Sequence, residues 1–198
     1  MTPTATTAPQ IPLGHDTAGT LLSVPAGRIL LAGACGTGKT VLASRIARTT
    51  GEGALRWVIH ERHCDAAYPT ADWRATRADD AARMLDAALV LTRVPRHPGA
   101  ARVQLTVDDA YLIDPTHPGL LATPTAGVDL TLIAPPDLPR HIADTFGVQL
   151  LFRHAGPACP YPDLAADLAR LPNRAALLIR PGTIPTPITI PTHTPAGA

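Results

Sequence analysis

The run Gly33-Ala34-Cys35-Gly36-Thr37-Gly38-Lys39-Thr40 leaves this chain little choice of fold. It fills the pattern GxxxxGK(S/T) completely. It also lies between a short apolar run, Arg28 to Ala32, and a segment from Thr40 to Thr49 whose Val41, Leu42, Ile46 and Ala47 recur at helical spacing. A strand, a glycine-rich loop and a helix in that order are the context in which the pattern cradles phosphate. Glycines let backbone N–H groups turn inward, the helix N-terminus adds the positive end of a dipole, and Lys39 reaches the β and γ oxygens. The Thr40 hydroxyl is then the expected Mg²⁺ ligand. Gly33, Ala34, Cys35, Gly36, Thr37, Gly38, Lys39, Thr40 and Val41 form the expected nucleotide-contacting stretch. Lys39 is the single lysine among 17 basic residues, so position 39 asks for something arginine does not supply.

The remaining chain reads as an α/β domain. Its 198 residues are enough for one sizeable core and too few for two large domains. Ile11 to Gly14 and Thr20 to Val24 predict an entry hairpin. Leu55 to Ile59, Val103 to Val107, Asp129 to Ala134 and Val148 to Phe152 predict strands. Ala78 to Thr92 predicts a helix, with Asp79 and Asp80 in its first turn to complement the dipole, and Asp137 to Phe146 and Asp163 to Leu171 predict shorter ones. Ala175 to Ile179 and Thr183 to Ile190 predict a closing hairpin. Strands alternating with helices imply a mainly parallel sheet flanked by helices, carrying an N-terminal and a C-terminal hairpin. The domain is expected over residues 11–190, with disordered tails at 1–10 and 191–198. Asp114 to Gly127 is the irregular part, because Pro115, Pro118 and Pro124 leave room for only a short helical turn.

Charge and composition narrow the setting. A net charge of +1 gives no whole-protein field to attract a polyanion. No stretch approaches the ~20 apolar residues of a membrane span, and the start lacks a signal-peptide pattern, so no membrane segment and a cytoplasmic location are expected. Cys35, Cys64 and Cys159 lack the paired spacing of a zinc site. His60, Glu61, His63 and Cys64 lie close together but also without zinc spacing, and read as a solvated polar loop. Trp57 and Trp73 read as packing residues.

A phosphate loop needs an acidic partner at the end of a neighbouring strand, and Val103-Gln104-Leu105-Thr106-Val107-Asp108-Asp109 supplies one. Asp108 is the expected second Mg²⁺ ligand. Asp109 stands where many motors carry a glutamate that orients or deprotonates the attacking water, and its side chain is one methylene shorter. The alternative is that the two aspartates only end a strand and begin a turn.

Taken together, Ile11-Pro12-Leu13-Gly14, the turn ending at Gly19 and the run from Arg28 to Thr40 resemble the ATPase core of FtsK/SpoIIIE-type DNA translocases, within the HerA/FtsK group of RecA/ASCE-like P-loop NTPases. Val107-Asp108-Asp109 resembles that family's Ile-Asp-Glu, Ala126 to Ala134 its "AGIHLVLAT", and Val148 to Arg153 its "RIAFR". The resemblance covers roughly residues 11 to 190. It implies ATP and Mg²⁺ as ligands, Lys39 and Asp109 as catalytic residues, double-stranded DNA as partner and a homo-oligomeric ring. In such a ring a neighbour's arginine stabilises the transferring phosphate, and Arg153 and Arg140 are the candidates, Arg153 first. Ala134-Pro135-Pro136-Asp137 departs from the family's Ala-Thr-Gln-Arg-Pro, so the amide that senses the γ-phosphate is missing. Two other functions stay open: a degenerate ATP-binding module with little hydrolysis, and a P-loop small-molecule kinase, for which Asp114 to Gly127 offers no arginine-rich lid.

Overall fold

Alternate residues of β3 (Arg28–Ala32) divide the interior in two. Ile29 and Leu31 point into one apolar cluster, Leu30 and Ala32 into another, and all four are buried. That period of two is what a strand with both faces covered requires. The computed structural model describes residues 9–49, 53–94, 100–108, 110–114, 116–117, 127–154 and 161–191. Within it, α1 (Lys39–Thr49) covers the first cluster through Leu42, Ala43 and Ile46. On the opposite face α2 (Ala78–Arg93) contributes Ala81, Met84, Leu85 and Ala88. Two short helices, α3 (Arg140–Ala143) and α4 (Ala165–Arg170), add Ile142, Ala143 and Leu168.

The other strands are β1 (Gln10–His15), β2 (Leu21–Pro25), β4 (Leu55–His60), β5 (Trp73–Ala75), β6 (Val103–Asp108), β7 (Val128–Ala134), β8 (Val148–Phe152), β9 (Ala175–Ile179) and β10 (Thr186–Thr189). The described strands form one sheet in the order β2-β1-β10-β9-β8-β3-β7-β6-β4-β5. Pairings from β8 through β3, β7, β6 and β4 to β5 are parallel. Those from β2 through β1, β10 and β9 to β8 are antiparallel. The two expected hairpins are therefore one continuous extension of the parallel sheet, joined where His15 pairs with Thr189.

Several boundaries differ from the sequence reading. Gln10, placed in the tail, begins β1 opposite Pro25, and the Pro9 carbonyl accepts from the Ala26 amide at 2.8 Å. The helix expected over Asp137 to Phe146 contracts to α3, because Pro139 sets its start and Gly147 follows. The last strand begins at Thr186, after a turn through Pro181 and Gly182 (φ 71°). β5 had no sequence signal, being three residues long; Trp73 pairs with Trp57 of β4, and their rings meet edge to face at 4.9 Å. Most of the irregular segment after β6 (residues 115 and 118–126) lies outside the described residues, as do residues 1–8 and 192–198.

Candidate nucleotide site

Every parallel strand next to the glycine loop ends at the same edge of the sheet, which is where ligands enter α/β folds. β3 runs into the loop at Gly33, β6 ends at Asp108, β7 at Ala134 and β4 at His60. An open cavity of about 570 Å³ occupies that edge. The loop lines its floor through Gly36, Gly38, Lys39 and Thr40, and Asp108 lines one wall.

The loop geometry follows from its glycines. Gly36 (φ 74°) and Gly38 (φ 102°) occupy conformations that L side chains rarely adopt. The Ala34 amide donates to the Arg153 carbonyl at 3.1 Å, and the Thr37 hydroxyl donates to the Ala34 carbonyl at 2.8 Å. Among the described residues, the amides of Gly36, Gly38, Lys39 and Thr40 donate to no backbone acceptor. They sit at the N-terminus of an 11-residue helix, so their donors and its dipole suit an anion.

Gly33 has a different reason to be glycine. A Cβ there would lie 2.7 Å from the Phe152 Cβ and 3.0 Å from its carbonyl oxygen, with φ at 149°. Gly33→Ala is therefore expected to cost about 3 kcal/mol in urea denaturation, from overpacking added to backbone strain. Gly36→Ala meets nothing within 4 Å and pays the backbone term alone, about 1–2 kcal/mol. Equal losses in the two variants would refute the Phe152 contact as the reason.

Lys39 donates to the Gly33 and Ala34 carbonyls at 2.8 and 2.6 Å, folded back over the loop. Burial lowers its pKa, while the Cys35 and Asp108 charges oppose that shift. Thr40 donates to Asp108 Oδ1 at 3.0 Å, and Tyr68 donates to Asp108 Oδ2 at 2.8 Å. Burial pushes the Asp108 carboxyl above the usual carboxylate range, against those two hydrogen bonds and the nearby His60 and Lys39. A hydroxyl beside a carboxylate is a hard oxygen pair that fits Mg²⁺, an ion that takes one or two protein ligands and fills its other positions with water and phosphate. Among the described residues there is no cluster of three or more His, Cys, Asp or Glu side chains that would suit an all-protein metal cage.

The structure places Lys39, Thr40 and Asp108 on the lining of one cavity. Asp109 lies outside the described residues. Arg153 is exposed one residue past β8, and its carbonyl rather than its guanidinium braces the loop. Arg140 lies over the Tyr161 ring at 5.3 Å and 3.6 Å from Asp144 within its own chain.

One expectation is overturned. His60, read as part of a solvated loop, is fully buried at the end of β4, because parallel pairing sets it opposite Asp108 in the sheet interior. Its Nδ1 lies 2.7 Å from the Glu61 carbonyl, and its ring lies 5.7 Å from that of Tyr68. Sequence reasoning also missed Tyr68, isolated between Ala67 and Pro69 with no pattern around it. It gave Glu61 no role, although Glu61 lines the cavity.

Strand order, glycine loop and the Lys39, Thr40 and Asp108 cluster define the α/β P-loop NTPase fold, RecA/ASCE-like with a mixed sheet. Solved structures share it. The cytoplasmic domain of the Thermomonospora curvata type VII secretion ATPase EccC matches with a TM-score of 0.71 at 13% identity, over 92% of this chain and 26% of that one. The pCW3 conjugation coupling protein TcpA, solved with ATPγS, matches with a TM-score of 0.71 at 14% identity, over 93% of this chain and 66% of that one. The genome packaging NTPase B204 of Sulfolobus turreted icosahedral virus 2, solved with sulfate, matches with a TM-score of 0.64 at 15% identity, over 86% of this chain and 100% of that one. The chain thus spans about a quarter of the EccC structure and the whole of B204. No protein-family model and no curated protein matches the sequence. No helix among the described residues is long and apolar enough to cross a membrane.

Proposed function

We propose that this chain is the ATP-binding and ATP-hydrolysing core of a FtsK/HerA-type motor, acting in the cytoplasm and coupling hydrolysis to movement of double-stranded DNA. The convergence of Lys39, Thr40 and Asp108 on one cavity lined by the glycine loop carries this reading. In it, the loop amides and Lys39 hold the β- and γ-phosphates. Thr40 and Asp108 hold Mg²⁺, which when bound neutralises charge on the phosphates. Asp109 orients the attacking water, and Arg153 from a neighbouring copy in a ring stabilises the transferring phosphoryl group. DNA as the moved polymer rests on the sequence resemblance. It is supported by likeness in fold to proteins named for conjugation and genome packaging.

Phosphate release from ATP and Mg²⁺, with and without linear duplex DNA at low salt, tests the reading, since polyanion binding weakens steeply as salt rises. DNA is expected to raise the rate. Hydrolysis that ignores DNA removes the motor assignment. Tight ATP binding without phosphate release favours instead the degenerate binding module, a reading motivated by Ala134, Pro135 and Pro136 lining the cavity where the resembling family carries its sensing amide.

A further inference from the structure

Arg174 is the one non-glycine residue with positive φ (63°) among the described residues. Such a conformation is uncommon for a long side chain and persists only where its surroundings over-determine it, a situation that clusters at ligand clamps. Here the surroundings are visible. The Ala175 amide donates to the Pro172 carbonyl at 3.2 Å, and the Arg174 carbonyl accepts from the Ile190 amide at 2.8 Å. These bonds hold Arg174 against the glycine loop: its Cγ and Cα lie 3.5 and 4.0 Å from where a Cβ on Gly38 would stand. Arg174 also lines the cavity, and its side chain is exposed.

Sheet order says which end of the cavity this is. β6, which carries Asp108, lies two strands from β3 on one side, and β9, which Arg174 precedes, lies two strands from β3 on the other. The Thr40 and Asp108 pair marks the side for Mg²⁺ and the terminal phosphate. A nucleotide whose phosphates fill the loop must direct its nucleoside to the opposite rim, where Arg174 stands. Val41, half-exposed one residue beyond Thr40, lines the same cavity.

We infer that Arg174 is a nucleotide-binding residue that grips the nucleoside half of the nucleotide, its planar guanidinium lying on the base. The inference rests on the nucleotide-binding reading above. A guanidinium stacks on a flat ring as an ammonium does not, and the loop amides with Lys39 already serve the phosphates.

Calorimetric titration of the full chain with ATP, ADP and inorganic tripolyphosphate tests it, comparing wild type with Arg174→Gly and Arg174→Lys. Glycine accepts positive φ, so Arg174→Gly melts no lower than wild type. ATP and ADP are each expected to bind about three- to tenfold more weakly in Arg174→Gly, the scale of a cation over an aromatic face, while tripolyphosphate changes by less than about twofold. Arg174→Lys, which keeps the charge and loses the plane, recovers at most part of that loss. Tripolyphosphate weakened as much as ATP, or full rescue by lysine, makes Arg174 a phosphate-side charge and overturns the inference. ATP binding unchanged in Arg174→Gly overturns it too. Wild-type protein that binds neither ATP nor tripolyphosphate is a separate outcome, which overturns the nucleotide reading and this inference with it.

Discussion

In the Lys39→Ala variant, ATP turnover is expected to fall by about 10²–10³-fold, the range for removing one preorganised donor from a site where negative charge develops, while the fold is retained. The two halves of this result have one origin. Lys39 lies over the loop with its Nζ on the Gly33 and Ala34 carbonyls, so it is poised where a β- or γ-phosphate oxygen would take over as acceptor. That position half-buries an ammonium, and burial lowers its pKa. A base with a lowered folded-state pKa favours the folded state as pH rises through that pKa toward its ordinary 10.5, and costs stability below it, where the ammonium is charged. At neutral pH alanine removes that cost together with two hydrogen bonds, so the denaturation midpoint is expected to move little. Phosphate release and urea denaturation measured on one preparation check both halves. Turnover near the wild-type rate in a folded Lys39→Ala protein refutes the assignment of the loop as the catalytic site.

The parts of this site that could be read from the chain are those encoded locally. The glycine loop announces itself because its conformation demands glycines at fixed intervals, β3 because a short apolar run leads into that loop, and α1 because apolar residues recur at helical spacing after it. Asp108 was legible by rule, as an acid closing an apolar strand. Tyr68, His60 and Arg174 had no such signal. Tyr68 reaches Asp108 across 40 positions, and His60 is buried only because β4 pairs with β6 in a register that sequence does not state. Arg174 meets Gly38 because β9 lies two strands from β3, which depends on the closing hairpin folding back antiparallel onto β8. The joining of both hairpins into one sheet was hidden for the same reason: a pairing between His15 and Thr189 is a contact between the two ends of the chain. Local chemistry places the loop; long-range pairing supplies its surroundings.

That surrounding shell gives Asp108→Asn an expected signature in which function and stability move in opposite directions. Asp108 is 8% exposed and sits between the Thr40 and Tyr68 hydroxyls. Burial raises its pKa despite those hydrogen bonds and despite His60 and Lys39 nearby. An acid whose folded-state pKa is raised takes up its proton more readily in the folded state. Its favourable contribution is therefore present at acid pH and is lost as pH rises through 3.8 toward the raised value, so at neutral pH the ionised carboxylate costs stability. Asparagine keeps the shape without the charge: one hydroxyl can go on donating to its Oδ1 while the other rotates to accept from its Nδ2. The nucleotide-free variant is expected to be more stable than wild type by about 1 kcal/mol in urea denaturation at neutral pH, the usual scale for relieving a single functional-site cost. The gap should close at about pH 4 and below, as wild-type Asp108 takes up its proton. Mg²⁺-dependent turnover is expected to fall by about 10²-fold or more in the same variant, since the hard anionic oxygen beside Thr40 is gone. A loss of stability at neutral pH would mean that the hydrogen bonds from Thr40 and Tyr68 outweigh the burial of the charge. Asp108 would then serve as a structural clasp between α1 and β6 rather than as a carboxylate held ready for a cation.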